Sequence, residues 1–223
     1  MQSGSRASLN AETNNIDCAF CQRSDIAANI LKETPAFLIV ADHAPLVEGH
    51  ILIIPKSHYA CYGEVPAELD AEFLALKREV QRFFFQYYAP AVFWEHGVFR
   101  QTVFHAHLHC FPFGNTDYDI AEGLHSLIVQ SQDDIREWYA SRGPYFYMED
   151  AQHALLFAPE IDRYLHIIRD VLWHGVSLRG YQKEWRSQQQ RYEEGGAPIR
   201  ATKKKWRLFQ QHGATHADET GAG

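Results

Sequence analysis

Histidines recur at positions 105, 107 and 109 inside the apolar run Gln101-Thr-Val-Phe-His-Ala-His-Leu-His-Cys-Phe111. On a strand, a spacing of two points all three imidazoles to one face and leaves Ala106, Leu108 and Cys110 to pack on the other. Imidazole can hold a metal, move a proton or attack phosphorus near neutral pH. Burying three in one row is costly, and an ordinary solvent-facing polar stripe gives no reason for that cost. A second group able to do chemistry is Cys18-x-x-Cys21. These cysteines are too close for a strain-free disulfide but suit two thiolates on one tetrahedral zinc, the alternative being a metal-free pair of buried thiols. A redox pair is not expected, because no thioredoxin-like βαβ pattern follows. Cys61 and Cys110 stand apart as thiols.

These residues must be positioned by a chain of 223 residues, enough for one large domain or a domain with an appendage. A hydrophobic content of 46% and an aromatic content of 13% can fill a core. No run of about 18 apolar residues is present, so no membrane span is expected. The N-terminus lacks the apolar core of a signal peptide, and the expected location is cytoplasmic. Residues 36–41, 49–54, 92–95 and 103–111 read as strands, with Pro45 and Pro55 as punctuation. A helix is expected between Pro66 and Pro90, where Leu69, Phe73, Leu76, Val80, Phe83, Phe84 and Tyr87 recur at three- and four-residue steps. Further helices are expected near 119–130, 132–141 and 160–173, and a hairpin pairs 144–149 with 153–158.

The fold class is therefore α+β: an antiparallel sheet of about five strands with helices on one face, plus a mixed C-terminal extension. Residues 16–114 form the principal domain and 115–211 an α/β extension packed on it, between disordered ends at 1–15 and 212–223. The formal charge of −7 is unevenly spread: residues 182–211 carry +5, centred on Lys203-Lys-Lys-Trp-Arg207, which leaves −12 for the rest. Such a run reads as a solvated helix end or arm, and nucleic acid is not the expected partner.

Four features stand in one order: Cys18-x-x-Cys21, Asp42-His-Ala-Pro-Leu-Val-Glu-Gly-His50 leading into a strand, Pro55-Lys-Ser-His58, and His105-Ala-His107-Leu-His109-Cys-Phe111. Together, over about residues 16–114, they resemble the histidine triad (HIT) superfamily, whose signature is His-x-His-x-His-x-x with apolar x. The rest is similar, through Tyr145 and Trp185-Arg186 alone, to C-terminal extensions of some bacterial HIT-like proteins.

The resemblance implies a nucleotide hydrolase or nucleotidyl transferase acting at the α-phosphate of phosphoramidates or dinucleoside polyphosphates. It implies His107 as the nucleophile that forms a nucleotidyl-histidine. One ring nitrogen must then be unprotonated while the other donates to a fixed acceptor such as a backbone carbonyl. It further implies His105 in the catalytic row, His109 and Gln101 on the phosphate oxygens, Thr102 near the leaving group and Asp42 on the ribose hydroxyls. Val40, Leu38 and Ile26 are candidates for a slot for the base, the alternative for such strand residues being plain core. A structural zinc would sit on Cys18, Cys21, His58 and His105. A two-fold homodimer would pair through the 66–89 helix and a strand, with which Phe83-Phe-Phe85 is consistent, a buried-core role being the alternative for those phenylalanines.

Two departures bear on substrate class. Many HIT enzymes carry an asparagine on the strand before the triad, whereas this chain reads Trp94-Glu-His-Gly97, and the loop Val98-Phe-Arg-Gln101 is short. His96 and Arg100 are candidates for a phosphate contact there. His43, His50, His125, His153, His166 and His174 are read as surface or satisfied core residues. Two other functions remain in view. One is a nucleotide-binding regulatory module without turnover, which the intact triad argues against. The other is a zinc hydrolase with the histidine row as ligands, which lacks a spaced acidic ligand and leaves the Cys-x-x-Cys unused.

Overall fold

Two five-residue runs, Phe37-Leu-Ile-Val-Ala41 and Ile51-Leu-Ile-Ile-Pro55, are apolar at every position, so both faces of any sheet built from them need cover. The structure is a computed structural model describing residues 18–114, 126–167 and 187–219. In chain order its elements are α1 (Arg23–Ile26), β1 (Ile30–Glu33), β2 (Phe37–Ala41), β3 (Ile51–Pro55), α2 (Asp70–Tyr87), β4 (Val92–Glu95) and β5 (Leu108–Phe111). There follow β6 (Ser126–Ile128), α3 (Gln132–Arg142), β7 (Phe146–Glu149), β8 (Ala154–Phe157), α4 (Ile161–His166), α5 (Gln188–Glu194) and α6 (Gly196–Glu219).

The strands make one antiparallel sheet in the order β1-β2-β3-β5-β4-β7-β8-β6. The α+β expectation holds, but the strand number rises from about five to eight among the described residues. Strand β1 is short and only partly buried, so it carries little periodic signal. The hairpin β7–β8 does not form a separate layer. It continues the sheet by pairing Trp94 with Met148 and Phe93 with Glu149. Strand β6 replaces the C-terminal part of the helix expected at 119–130, and the rest of that stretch lies outside the described residues. Helix α3 and the hairpin fall where expected. Helix α4 covers the beginning of the 160–173 helix, and α6 continues to Glu219, into the stretch expected to be a tail.

Helices lie on both faces, not one. Phe37, Ile39, Ile51, Ile53, Phe93, Leu108 and Cys110 pack with α2 residues Phe73, Leu76, Val80, Phe83 and Phe84, and with Trp206 of α6. On the reverse face Leu38, Val40, Leu52 and Ile54 pack with Cys18, Phe20 and Ile26. Farther along, Trp94, Phe111, Phe146, Met148 and Phe157 form a third cluster, with Tyr164 of α4 packed against it.

Trp206 meets Phe83 edge-on at 4.9 Å between ring centres. Phe83 and Phe84 are therefore wholly buried within this chain, where a dimer contact had been one expectation, and only Phe85 is exposed, at 84%. The basic segment is also partly used internally. Lys203 donates to the Ala28 carbonyl, while Lys205 pairs with Glu48 at 2.8 Å and lies over the Tyr88 ring. Among the described residues no helix is long and apolar enough to cross a membrane.

Candidate active site and metal group

The regular ladder of the histidine strand begins only at Leu108. Upstream, Gln101 to His107 form a bend whose shape is set by one side chain. Gln101 Oε1 accepts from Val98 N–H at 3.0 Å, and Nε2 approaches the carbonyls of Ala60, Val103 and His105 at 3.1, 2.6 and 3.0 Å. The bend also holds Val98 at φ +77° and Arg100 at φ +53°, a region that strains a side chain carrying Cβ. Gly97, at φ +52°, lies so close to Tyr145 that a Cβ would stand 2.5 Å from its carbonyl oxygen. Only glycine fits there.

The side-chain alternation nevertheless holds: Ala106, Leu108 and Cys110 pack in the cluster under α2, while the imidazoles stand on the reverse face, where Phe20 packs edge-on against both His105 and His107. Within that shared face the His105 ring joins the cysteine group, and His107 and His109 line a cavity. Cys21 N–H and Gln22 N–H both close on the Cys18 carbonyl, which folds the two thiols together. Cys18 Sγ lies 3.5 Å from His105 Nδ1, and Cys21 Sγ lies 3.4 Å from His58 Nδ1 and 3.6 Å from His105 Nδ1. Tetrahedral zinc with Zn–S of about 2.3 Å and Zn–N of about 2.05 Å requires S···N separations of about 3.6 Å. The donor set therefore fits such an ion. His105 Nε2–H donates to the Pro55 carbonyl at 2.8 Å, which leaves Nδ1 as the lone pair facing the thiols, the usual support for a ligating histidine.

His107 is oriented by the same residue's backbone. Its Nδ1–H donates to the His105 carbonyl at 2.7 Å, so Nε2 is the unprotonated nitrogen. Burial pushes its pKa below the usual 6.5 against the opposing effects of that carbonyl and Asp42. Phe20 packs edge-on against it at 5.2 Å.

His109 has a different tautomer. Leu46 N–H donates to His50 Nδ1 at 3.2 Å, which puts the His50 proton on Nε2, 3.0 Å from His109 Nδ1. His109 Nδ1 accepts, and its own proton is carried on Nε2. Burial drives His50 to a pKa of about 4 and His109 well below its ordinary value, so both rings are neutral. Asp42, His50 and His109 also cluster closely enough to suggest a metal. A metal on His50 Nε2 would require a proton on Nδ1, facing the Leu46 N–H, so the cluster is better described as a hydrogen-bonded relay. Asp42 Oδ1 accepts from Ala44 N–H at 2.7 Å and Oδ2 lies 3.5 Å from His50 Nε2. Burial alone would raise its pKa, but His50, the Ala44 amide, His43 and His107 hold it below the usual value.

The cavity, about 220 Å³, is walled by Phe20, Asp42, His50, Leu52, Thr102, His107 and His109, and on its other side by Trp94, His96, Arg100 and Tyr164, with Gln188 and Arg191 of α5 also lining it. Thr102 and Asp42 thus join His107 and His109, whereas Gln101 is spent on the bend. Leu38, Val40 and Ile26 belong to the buried cluster and do not line the cavity, so of their two readings the structure favours plain core over a base slot. His50 was grouped with surface and core histidines; it belongs to the site, and the Gly-His pair opening β3 was the available signal. His43 also lines the cavity, His153 and His166 do not, and His125 and His174 lie outside the described residues. Tyr164, Gln188 and Arg191 had no sequence signal, because only the fold brings them near residue 107.

On the opposite face, Glu95 is buried and accepts from Tyr62 N–H and the Tyr145 hydroxyl, each at 2.8 Å. Burial raises its pKa to about 7.

An antiparallel α+β sheet carrying neutral, tautomerically fixed histidines over a cavity defines a histidine triad class of protein. A family model for the HIT domain matches residues 23–115. The chain is 30% identical over 120 residues to an adenosine 5'-monophosphoramidase of Schizosaccharomyces pombe, covering 53% of this chain and 90% of that one. It is 30% identical over 115 residues to an uncharacterized HIT-like protein of Mycobacterium tuberculosis, covering 48% and 79%. Among solved structures, a Zn-bound histidine triad family protein from Mycobacterium smegmatis is 25% identical and covers 56% of this chain and 94% of its own, at a TM-score of 0.37. A HIT family hydrolase from Clostridium thermocellum is 25% identical, with 47% and 96% covered and a TM-score of 0.38. The chain belongs to the HIT family.

Proposed function

We propose that the protein is a nucleotide hydrolase or nucleotidyl transferase that cleaves at the α-phosphate through a covalent nucleotidyl-His107. The observation that carries this reading is the 2.7 Å bond from His107 Nδ1 to the His105 carbonyl, which leaves Nε2 nucleophilic beside a cavity. Nε2 forms a bond to the α-phosphorus as the bond to the leaving group breaks. The departing atom keeps the electron pair and takes up a proton. Water then attacks phosphorus, returns the lone pair to Nε2 and releases the nucleoside monophosphate. His109 Nε2–H faces the developing charge on a phosphate oxygen, a contact of the kind typically worth roughly 2–4 kcal/mol in the transition state. Thr102 serves the leaving group and Asp42 the ribose hydroxyls. Gln101 acts indirectly, by holding the bend. The adenosine 5'-monophosphoramidase similarity supports a phosphoramidate or related nucleotide conjugate as substrate.

Cys18, Cys21, His58 and His105 would hold a structural zinc, with no position open for substrate. Residues 16–114 make up the HIT unit and 115–211 an extension packed on it; the β4–β7 pairing supports that arrangement. A homodimer and a cytoplasmic location complete the proposal.

The test is to quench the protein with labelled adenosine 5'-phosphoramidate and map the acid-labile adduct. His107→Ala should form none and lose turnover while still binding AMP. Retention of more than about a tenth of the rate would remove His107 from this role.

A further inference from the structure

The Gln101 amide is not alone in holding the bend that orients His107, because a second set of contacts reaches it from the C-terminal half. Tyr145, the residue before β7, is wholly buried. Its N–H donates to the Gly97 carbonyl at 3.1 Å, and it forms a bridge with Val98, the first of the two left-handed non-glycine residues of the bend. Its ring lies so close to Gly97 that no Cβ fits between them. Its hydroxyl donates to Glu95 Oε2 at 2.8 Å and accepts from Gly63 N–H at 3.1 Å.

Both partners of that hydroxyl lead back to the bend. Glu95 Oε1 accepts from Tyr62 N–H at 2.8 Å, so the carboxylate and the phenol together grip residues 62 and 63. Just upstream, the Ala60 carbonyl accepts from Gln101 Nε2 at 3.1 Å and the Tyr59 carbonyl from Ala106 N–H at 2.7 Å. The segment 59–63 is thus fastened at one end to Glu95 and Tyr145, and at the other to residues on either side of His105. The His105 carbonyl is the group that fixes the tautomer of His107. Left-handed backbone at Val98 and Arg100 is costly and persists only where its surroundings over-determine it. A phenyl ring at 145 would fill the same volume, so what the hydroxyl adds is the link between Glu95 and Gly63.

We infer that Tyr145, acting with Glu95, is a positioning residue for the nucleophile: the C-terminal half holds the bend in the shape that aims His107, without touching substrate. The inference rests on the nucleotidyl-His107 reading given above. Asp42 and His50 line the cavity from other elements and take no part in this network. Nucleotide binding is therefore kept when the network is cut, while the chemical step, which depends on the aim of Nε2, is slowed.

Steady-state hydrolysis of adenosine 5'-phosphoramidate and calorimetric titration with AMP separate the two, on the full chain well below its melting temperature. Tyr145→Phe should lower kcat about tenfold or more and leave KM and AMP affinity within about twofold, since small misplacements of reacting atoms carry losses of this size. Tyr147→Phe is the control: its hydroxyl, two residues on, meets Glu149 and Lys77 and has no link to the bend, so kcat should stay as it is. Tyr145→Phe combined with Gln101→Ala should lose less than the product of the separate losses, because both act through one bend. Glu95→Gln keeps the shape but offers a single acceptor oxygen to Tyr62 and Tyr145; it should lower kcat several-fold, and it carries the test if Tyr145→Phe does not fold. Unchanged kcat in folded Tyr145→Phe or in Glu95→Gln, an equal loss in Tyr147→Phe, or a loss seen in KM and AMP affinity instead would overturn the positioning role and leave the His107 reading standing. Absence of both turnover and adduct in the unaltered protein would overturn both.

Discussion

At His107 the chemistry turns on which nitrogen carries the hydrogen, and the answer is fixed one residue pair away, by the His105 carbonyl. Since burial lowers the pKa of His107 below 6.5, the neutral imidazole dominates at pH 7 and above. Turnover against pH should therefore be flat above about 6.5 and fall as acid protonates the ring, its acid limb lying below the usual histidine value. His50 sets the tautomer of His109 in the same way. His50→Ala should lower kcat about 10- to 100-fold with a smaller change in KM, the cost of releasing one oriented donor, measured by steady-state kinetics. Glu95 gives a prediction of opposite character, on stability. Its folded pKa is raised to about 7 from an ordinary 4.5, so between these values the folded state binds more protons than the unfolded. Stability is then greatest at the acid end of this window and declines as pH rises from about 4.5 to 7, by something on the order of 2–3 kcal/mol. Glu95→Gln should flatten the melting temperature across that range, and an unchanged slope would show that another group is responsible.

The elements around the site show what could be read in the residue order and what could not. The cysteine pair was legible from its metal-ligand spacing and His58 and His105 only through the family resemblance, and the structure brings those four side chains together. Simultaneous Cys18→Ala and Cys21→Ala should remove about one equivalent of bound zinc and lower the melting temperature while an AMP-loaded fraction remains. Metal analysis of the purified protein and thermal denaturation check the two halves of that statement. The bend before β5 was not legible. Period-two alternation of the side chains carries through His105 as read, but the Gln101 amide satisfies carbonyls that a strand would have left to a neighbouring strand, and so ends the ladder early. The same amide was assigned to phosphate, because residue type alone does not reveal which groups a side chain has already met. Strand β6 was missed for a related reason: Ser126–Ile128 is three residues long, and its strand character comes from pairing with β8.

Across the whole molecule, the apolar run in α2 marked a buried face correctly, but not what covers it. The partner is Trp206, more than a hundred residues away and inside a stretch that reads as basic and solvated. Trp206→Ala should cost about 3–5 kcal/mol, seen as a shift of the denaturation midpoint, whereas Lys204→Ala on the exposed side of the same helix should change it by less than about 0.5 kcal/mol. Strand β4 lies between β5, which carries His109, and β7 of the C-terminal half. Two polypeptides made by cutting between Gly114 and Ser126 would each keep one side of that ladder. Mixed after separate expression, they should find each other and reassemble, because the amides and carbonyls along the seam have no equivalent partner elsewhere.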